Sequence, residues 1–132
     1  ALEIGADGVH IGSNDGPIVD ARKRLGDRIL GVSCYNREDL ALEAEKLGAD
    51  YVAFGSFFPS ITKPDAVRAP LTLLQMTALS IKIPVIAIGG ITLDNGAGLV
   101  ACGADALAVV TALFDTPDIR TAAKQFSELF FI

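Results

Sequence analysis

Two hydroxyls and an ammonium fall within four residues at Ser60, Thr62 and Lys63, with Ile61 between them. Hydroxyl donors and a lysine point charge suit the oxygens of a phosphorylated ligand. Pro59 and Pro64 flank the group and stiffen it. A solvated surface loop is the plainer reading, because short loop motifs recur by chance. What moves the balance is a second segment of the same kind. The loop follows the apolar run Tyr51–Phe54, and Pro84-Val-Ile-Ala-Ile88 likewise opens onto Gly89-Gly90. Glycines there let backbone N–H groups approach a ligand closely. Three further positions carry the same type of chemistry. Asp15 can give one carboxylate oxygen to Mg²⁺, a hard cation that shares its ligands with phosphates, or it can cap a turn or the helix that follows. Ser33 can donate to a phosphate oxygen or merely satisfy backbone. Val110-Thr111 follows a third apolar run. His10, inside an apolar run, reads as a packed or hydrogen-bonded core imidazole and is set aside.

These residues need elements that bring them to one edge. Gly-Ala-Asp followed by an apolar run occurs three times, at Gly5, Gly48 and Gly103. Each reads as helix end, left-handed glycine, strand. Strands are expected at 8–11, 28–32, 51–54, 84–88 and 106–110. Helices are expected at 18–25, 37–47 with Asn36 as cap, 71–80, 93–101 after Thr92, and 117–130 after Thr116. Strand and helix alternate five times with no hairpin signal, which predicts right-handed βαβ units and a parallel sheet. An open doubly wound sheet and a (β/α)₈ TIM barrel both satisfy that pattern. The G-x-G-x-x-G fingerprint is absent, and every chemical residue falls at a C-terminal strand end, so the barrel is the reading. If the last strand is the eighth, Gly90, Val110 and Thr111 fall where such barrels cup a phosphate.

A barrel takes about 200–250 residues, so residues 1–132 are expected to form one partial domain holding about its last five βα units. The opening Ala1-Leu-Glu-Ile4 reads as the last turn of a helix stopped by Gly5, with N-terminal strands missing. Net charge is −5, which gives no basic field for nucleic acid. No apolar run reaches membrane-spanning length, and 51% hydrophobic residues suffice for a core. Cys34 and Cys102 lack metal or redox spacing and fit free thiols in a reducing cytoplasm.

Taken in order, Gly-Ala-Asp-Gly-Val-His-Ile-Gly, Gly-Val-Ser, the run from Gly48 to Lys63, and Pro-Val-Ile-Ala-Ile-Gly-Gly-Ile-Thr closely resemble the thiamine-phosphate synthase (pyrophosphorylase) family, from its fourth strand onward. The specific part is the Phe-Pro-x-x-Thr-Lys loop joined to Ile-Gly-Gly-Ile. The resemblance implies a transferase that joins a hydroxymethylpyrimidine diphosphate to a thiazole phosphate, releasing pyrophosphate in thiamine biosynthesis. It implies that diphosphate leaves first and that the thiazole nitrogen captures the pyrimidine-methyl cation. By matching positions, Asp15 would be a Mg²⁺ ligand, and Ser33 and Lys63 would hold the diphosphate and carry catalysis. Ser60, Ile61 and Thr62 would line the thiazole phosphate side, with Gly90, Val110 and Thr111 binding that phosphate. Ser13-Asn14 replaces the family's frequent Gln-Glu, and Thr111 stands where serine is common. The family's second metal aspartate and its other diphosphate-gripping residues lie upstream of these strands, so the isolated chain is expected to be inactive. Two alternatives stand beside this one. A sister protein of the same fold isomerises the thiazole, but it carries a histidine where this chain has Cys34 and Tyr35. A non-catalytic phosphate-binding module is the other. The expected partners are small molecules, and a homo-oligomer is left open.

Overall fold

The computed structural model describes residues 1–131. Five strands, β1 (Gly8–Ile11), β2 (Ile29–Tyr35), β3 (Tyr51–Phe54), β4 (Val85–Ile88) and β5 (Ala106–Ala108), form one sheet in the order β1-β2-β3-β4-β5. Every neighbouring pair is parallel. Between them run α1 (Ile18–Leu25), α2 (Glu38–Lys46), α3 (Leu71–Ser80) and α4 (Leu93–Ala101), and the chain continues through α5 (Thr111–Phe114), α6 (Ile119–Glu128) and a 3₁₀ turn at Leu129–Phe131. Right-handed crossovers between sequential neighbours put all their helices on one side of a sheet. The burial pattern follows that rule. Leu30, Val32, Cys34, Val52, Phe54, Val85 and Ala87 point to the helix side and are buried, joined there by Leu25, Ala41, Ala44, Leu74 and Leu99. Alternate residues, including His10, Ile29, Tyr51 and Ile88, line the opposite face, where Ile29 and Ile88 are 52% and 43% exposed.

The Gly-Ala-Asp repeat has one structural meaning. At Gly48 the amide reaches Glu45 O and Ala49 N reaches Ala44 O, the paired bonds of a Schellman helix end. The same pair recurs at Gly103-Ala104 and at Gly5-Ala6, where Ala1–Gly5 is a turn rather than a helix. The aspartate then clasps the neighbouring strand. Asp50 Oδ2 accepts from Leu30 N at 2.8 Å, and Asp105 Oδ2 accepts from Val85 N at 2.8 Å. Arg22 of α1 adds a salt bridge to Asp50 at 2.9 Å and a bond to Gly48 O, tying one repeat to the helix before it. Asp50→Ala is therefore expected to destabilise the fold by about 2 kcal/mol, since it strands the partly buried Leu30 amide and removes the carboxylate partner of Arg22. Denaturant melts of the variant would show this as a lowered midpoint with an unchanged m value.

Several boundaries differ from the sequence expectations for physical reasons. Strand β2 runs on to Tyr35 instead of ending at residue 32, and it carries a bulge between Ser33 and Tyr35. Tyr35 has a left-handed φ of 57°, and Arg37 N bonds Cys34 O, so Asn36 is spent in a turn and Arg37 precedes α2. Strand β5 stops at Ala108, because the chain turns at Val110 into the short helix α5. The last long helix is capped by Asp118, whose carboxylate accepts from both Thr121 N and Thr121 Oγ1, and Thr116 does not serve.

Candidate active site at the C-terminal strand edge

The parallel sheet delivers the candidate residues to a single edge. Asp15 follows β1, Ser33 lies near the end of β2, Ser60–Lys63 follow β3, Gly90 follows β4, and Val110-Thr111 follow β5. With neighbouring strands about 4.8 Å apart, this row spans at most about 19 Å.

Asp15 closes a tight turn. Its Oδ2 accepts from Gly12 N at 2.7 Å while its own amide reaches Gly12 O. The cap position of α1 belongs to Pro17, so Asp15 is a turn aspartate and not a helix cap. Its other carboxylate oxygen has no protein partner among the described residues. Asp15 is the carboxylate that this turn can offer a cation, and no cluster of three or more His, Cys, Asp or Glu side chains occurs among the described residues. That suits Mg²⁺, which is commonly held by one or two carboxylates with phosphate oxygens completing its shell.

Tyr35 is a functional candidate that residue types did not reveal. The bulge and its left-handed backbone swing it toward the β1–α1 loop. Its hydroxyl accepts from Ser13 N at 3.0 Å and donates to Ser13 Oγ at 3.1 Å, bracing the turn that holds Asp15. The bonds with the Ser13 side chain and backbone hold the phenol below its ordinary pKa, Lys63 acts in the same direction, and burial and Asp15 oppose. A nonglycine residue at positive φ next to a bulge is a form of strain that collects at functional sites.

Ser33 stands inside β2, not in a loop after it. Its Oγ lies 2.7 Å from His10 Nε2. His10, expected as a core imidazole, instead lies exposed on the open face of the sheet, hydrogen-bonded at both ring nitrogens. Burial of the ring still lowers its pKa, against the pull of Asp15.

The β3–α3 loop is pinned at its base. Ser56 N bonds Val67 O and Ala69 N bonds Ser56 O, so residues between them project as one excursion. Phe58 N bonds Gly89 O, which lays the loop against the Gly-Gly turn. Gly89 and Gly90 have φ of 103° and 63°, and a Cβ on Gly90 would come within 2.4 Å of Pro59 O. No other residue fits. Asn95 of α4, also missed in the sequence, donates from Nδ2 to Gly90 O while completing the Thr92 capping box. Thr62 and Lys63 are exposed, Ile61 is 89% exposed, and Lys63 forms no ion pair among the described residues. Val110 is 59% exposed ahead of Thr111, the first residue of α5.

The cysteines are not part of this chemistry. Cys34 is buried on the helix side, and burial first, then Asp39, pushes its thiol up to about 12. Cys102 is free and half-buried.

Sequential winding, helices on one face and polar groups at the C-terminal edge define a β/α protein of the class whose sites lie at that edge. Comparison with known proteins resolves the class further. The sequence model of the thiamine monophosphate synthase family matches residues 1–113, and the chain belongs to that family. Thiamine-phosphate synthases of Nitrosospira multiformis and Nitrosomonas eutropha are 56% and 54% identical to it over 98% of the chain. The chain spans 56% and 61% of those relatives' lengths. A thiamine phosphate pyrophosphorylase from Pyrococcus furiosus superposes with a TM-score of 0.88 at 39% identity, covering 98% of this chain and 62% of that one. A 3-hexulose-6-phosphate synthase at 20% identity and a TM-score of 0.68 shares the fold alone.

Proposed function

We propose that this chain is part of a thiamine-phosphate synthase that joins a pyrimidine diphosphate to a thiazole phosphate. The observation that carries the proposal is the order of groups along the edge. Asp15 follows β1 and Ser33 lies near the end of β2, the loop Ser60–Lys63 follows β3 at the middle of the edge, and Gly90, Val110 and Thr111 follow β4 and β5. Two anionic ligands can thus lie side by side, with the reacting carbon and nitrogen between them.

In the proposed reaction the carbon–oxygen bond of the pyrimidine diphosphate breaks first, and its electron pair leaves with the diphosphate. Lys63 and Ser33 hold the departing charge, the type of stabilisation that most strongly lowers such barriers. The thiazole nitrogen then gives its lone pair to the pyrimidine-methyl cation, and thiamine monophosphate results. Gly90, Val110 and Thr111 keep the thiazole phosphate in place through backbone and hydroxyl donors, and Ile61 lies over it. Asp15 would be one ligand of a bound Mg²⁺, which would supply further neutralisation of the diphosphate.

The sheet itself fits five consecutive units of a (β/α)₈ barrel whose other strands lie outside this chain. Asp7 supports that reading. Its counterparts Asp50 and Asp105 each accept from one amide at the start of the preceding strand (Leu30 N and Val85 N), and β1 has a neighbour on one side only. The exposed Ile29 and Ile88 support it too, as side chains suited to a closed interior. We place synthase activity in the complete barrel and expect none from these residues alone. No described helix is long and apolar enough to cross a membrane, and two free thiols suit a cytoplasmic setting.

The thiazole-isomerising alternative is disfavoured by Tyr35, whose hydroxyl is engaged with Ser13 where that reading needs a histidine. Thr111→Val tests the division of the edge. It removes one hydroxyl without adding bulk, so thiazole phosphate affinity should fall by about 1–3 kcal/mol. Calorimetric affinity for the pyrimidine diphosphate should stay within twofold (about 0.4 kcal/mol). Equal weakening of both ligands would show the two halves to be misassigned.

A further inference from the structure

A hydrogen-bonded chain crosses three strands on the open face of the sheet. Gly31 of β2 pairs with both His10 of β1 and Tyr51 of β3. A Cβ on Gly31 would sit 1.9 Å from Tyr51 Cζ, so only glycine lets the tyrosine ring lie across β2. The ring reaches His10 and stacks on it, with centroids 5.6 Å apart and planes 26° from parallel. Tyr51 OH lies 2.9 Å from His10 Nδ1, and His10 Nε2 lies 2.7 Å from Ser33 Oγ.

A neutral imidazole has one N–H donor and one acceptor nitrogen, so the chain has two ordered states. In one, Tyr51 O–H donates to Nδ1, Nε2–H donates to Ser33 Oγ, and the Ser33 proton is turned away toward the edge. In the other every bond is reversed and the Tyr51 proton is the free one. A phenol is more acidic than an aliphatic alcohol and is the stronger donor, which favours the first state. Partial desolvation lowers the His10 pKa, the direction that favours the neutral ring, against the opposing charge of Asp15.

We propose that Tyr51 and His10 are positioning residues that commit the Ser33 hydroxyl proton to the ligand, making Ser33 a fixed donor to an anionic oxygen. This rests on the assignment of Ser33 to the diphosphate. No catalytic step passes through the imidazole; it sets the direction of one hydrogen bond.

His10 is the one histidine in these 132 residues, and its ring signals can be assigned by their loss in His10→Gln. Long-range ¹H–¹⁵N spectra of the protein should show the Nε2–H tautomer, shifting toward a mixture in Tyr51→Phe. Affinity for inorganic pyrophosphate with Mg²⁺ should fall about fivefold in Ser33→Ala. It should fall by a similar factor (about threefold to fivefold) in Tyr51→Phe, with no further loss when both changes are combined. An Nδ1–H tautomer in the unaltered protein, or losses that multiply in the double variant, would overturn the positioning role while leaving Ser33 as a ligand group. Unchanged pyrophosphate affinity in Ser33→Ala would overturn the assignment of Ser33 itself, and the positioning role with it.

Discussion

Lys63→Ala is expected to lower kcat/KM of the complete enzyme by about 30- to 1,000-fold, a loss of roughly 2–4 kcal/mol of transition-state stabilisation. The side chain is exposed on a loop whose base is fastened at Ser56, Val67 and Ala69, and among the described residues it has no ion-pair partner to lose. Its removal should therefore leave the melting midpoint unchanged. The rate loss should appear mostly in kcat, because the charge it faces grows as the diphosphate departs. Steady-state pyrophosphate release, with thermal melts of both proteins, checks this. Near-normal turnover would return Lys63 to the status of a solvated surface lysine.

Asp15→Asn is expected to raise the Mg²⁺ concentration needed for half-maximal rate about tenfold or more, because the uncharged amide is a poor ligand for a hard dication. The asparagine oxygen can still accept from Gly12 N, so the turn should persist. Saturating Mg²⁺ should recover part of the rate. A titration that overlays the unaltered protein would mean that the carboxylate only closes the turn.

The outline of the fold was legible because it is written locally. Gly-Ala-Asp marks two helix ends and one turn by its left-handed glycine, and α1, α3 and α4 begin and end where proline, threonine and apolar spacing place them. What was not legible depends on register. Ser33 and His10 are 23 residues apart, and His10 and Tyr51 are 41 apart; only the pairing of β1, β2 and β3 brings them together. Ser33-Cys-Tyr35 looked like a loop because a serine and a tyrosine follow an apolar run. The bulge keeps these residues paired and then turns Tyr35 back over Ser13, a long-range contact that overrides local propensity. Val110 likewise extended an apolar run, yet the chain leaves the sheet two residues earlier to start α5. The strand-edge location of the candidate groups was readable from their positions after apolar runs. Their hydrogen bonds were not.

In the complete protein, this edge is proposed to form a carbon–nitrogen bond between two phosphorylated heterocycles. Incubating that protein with Mg²⁺, the pyrimidine diphosphate and the thiazole phosphate, and quantifying products by mass spectrometry, tests it most directly. Thiamine monophosphate and pyrophosphate are expected in equal amounts, with no thiamine monophosphate formed when the thiazole phosphate is omitted or replaced by inorganic phosphate. Recovery of both substrates intact, or isomerisation of the thiazole without pyrophosphate, would contradict it.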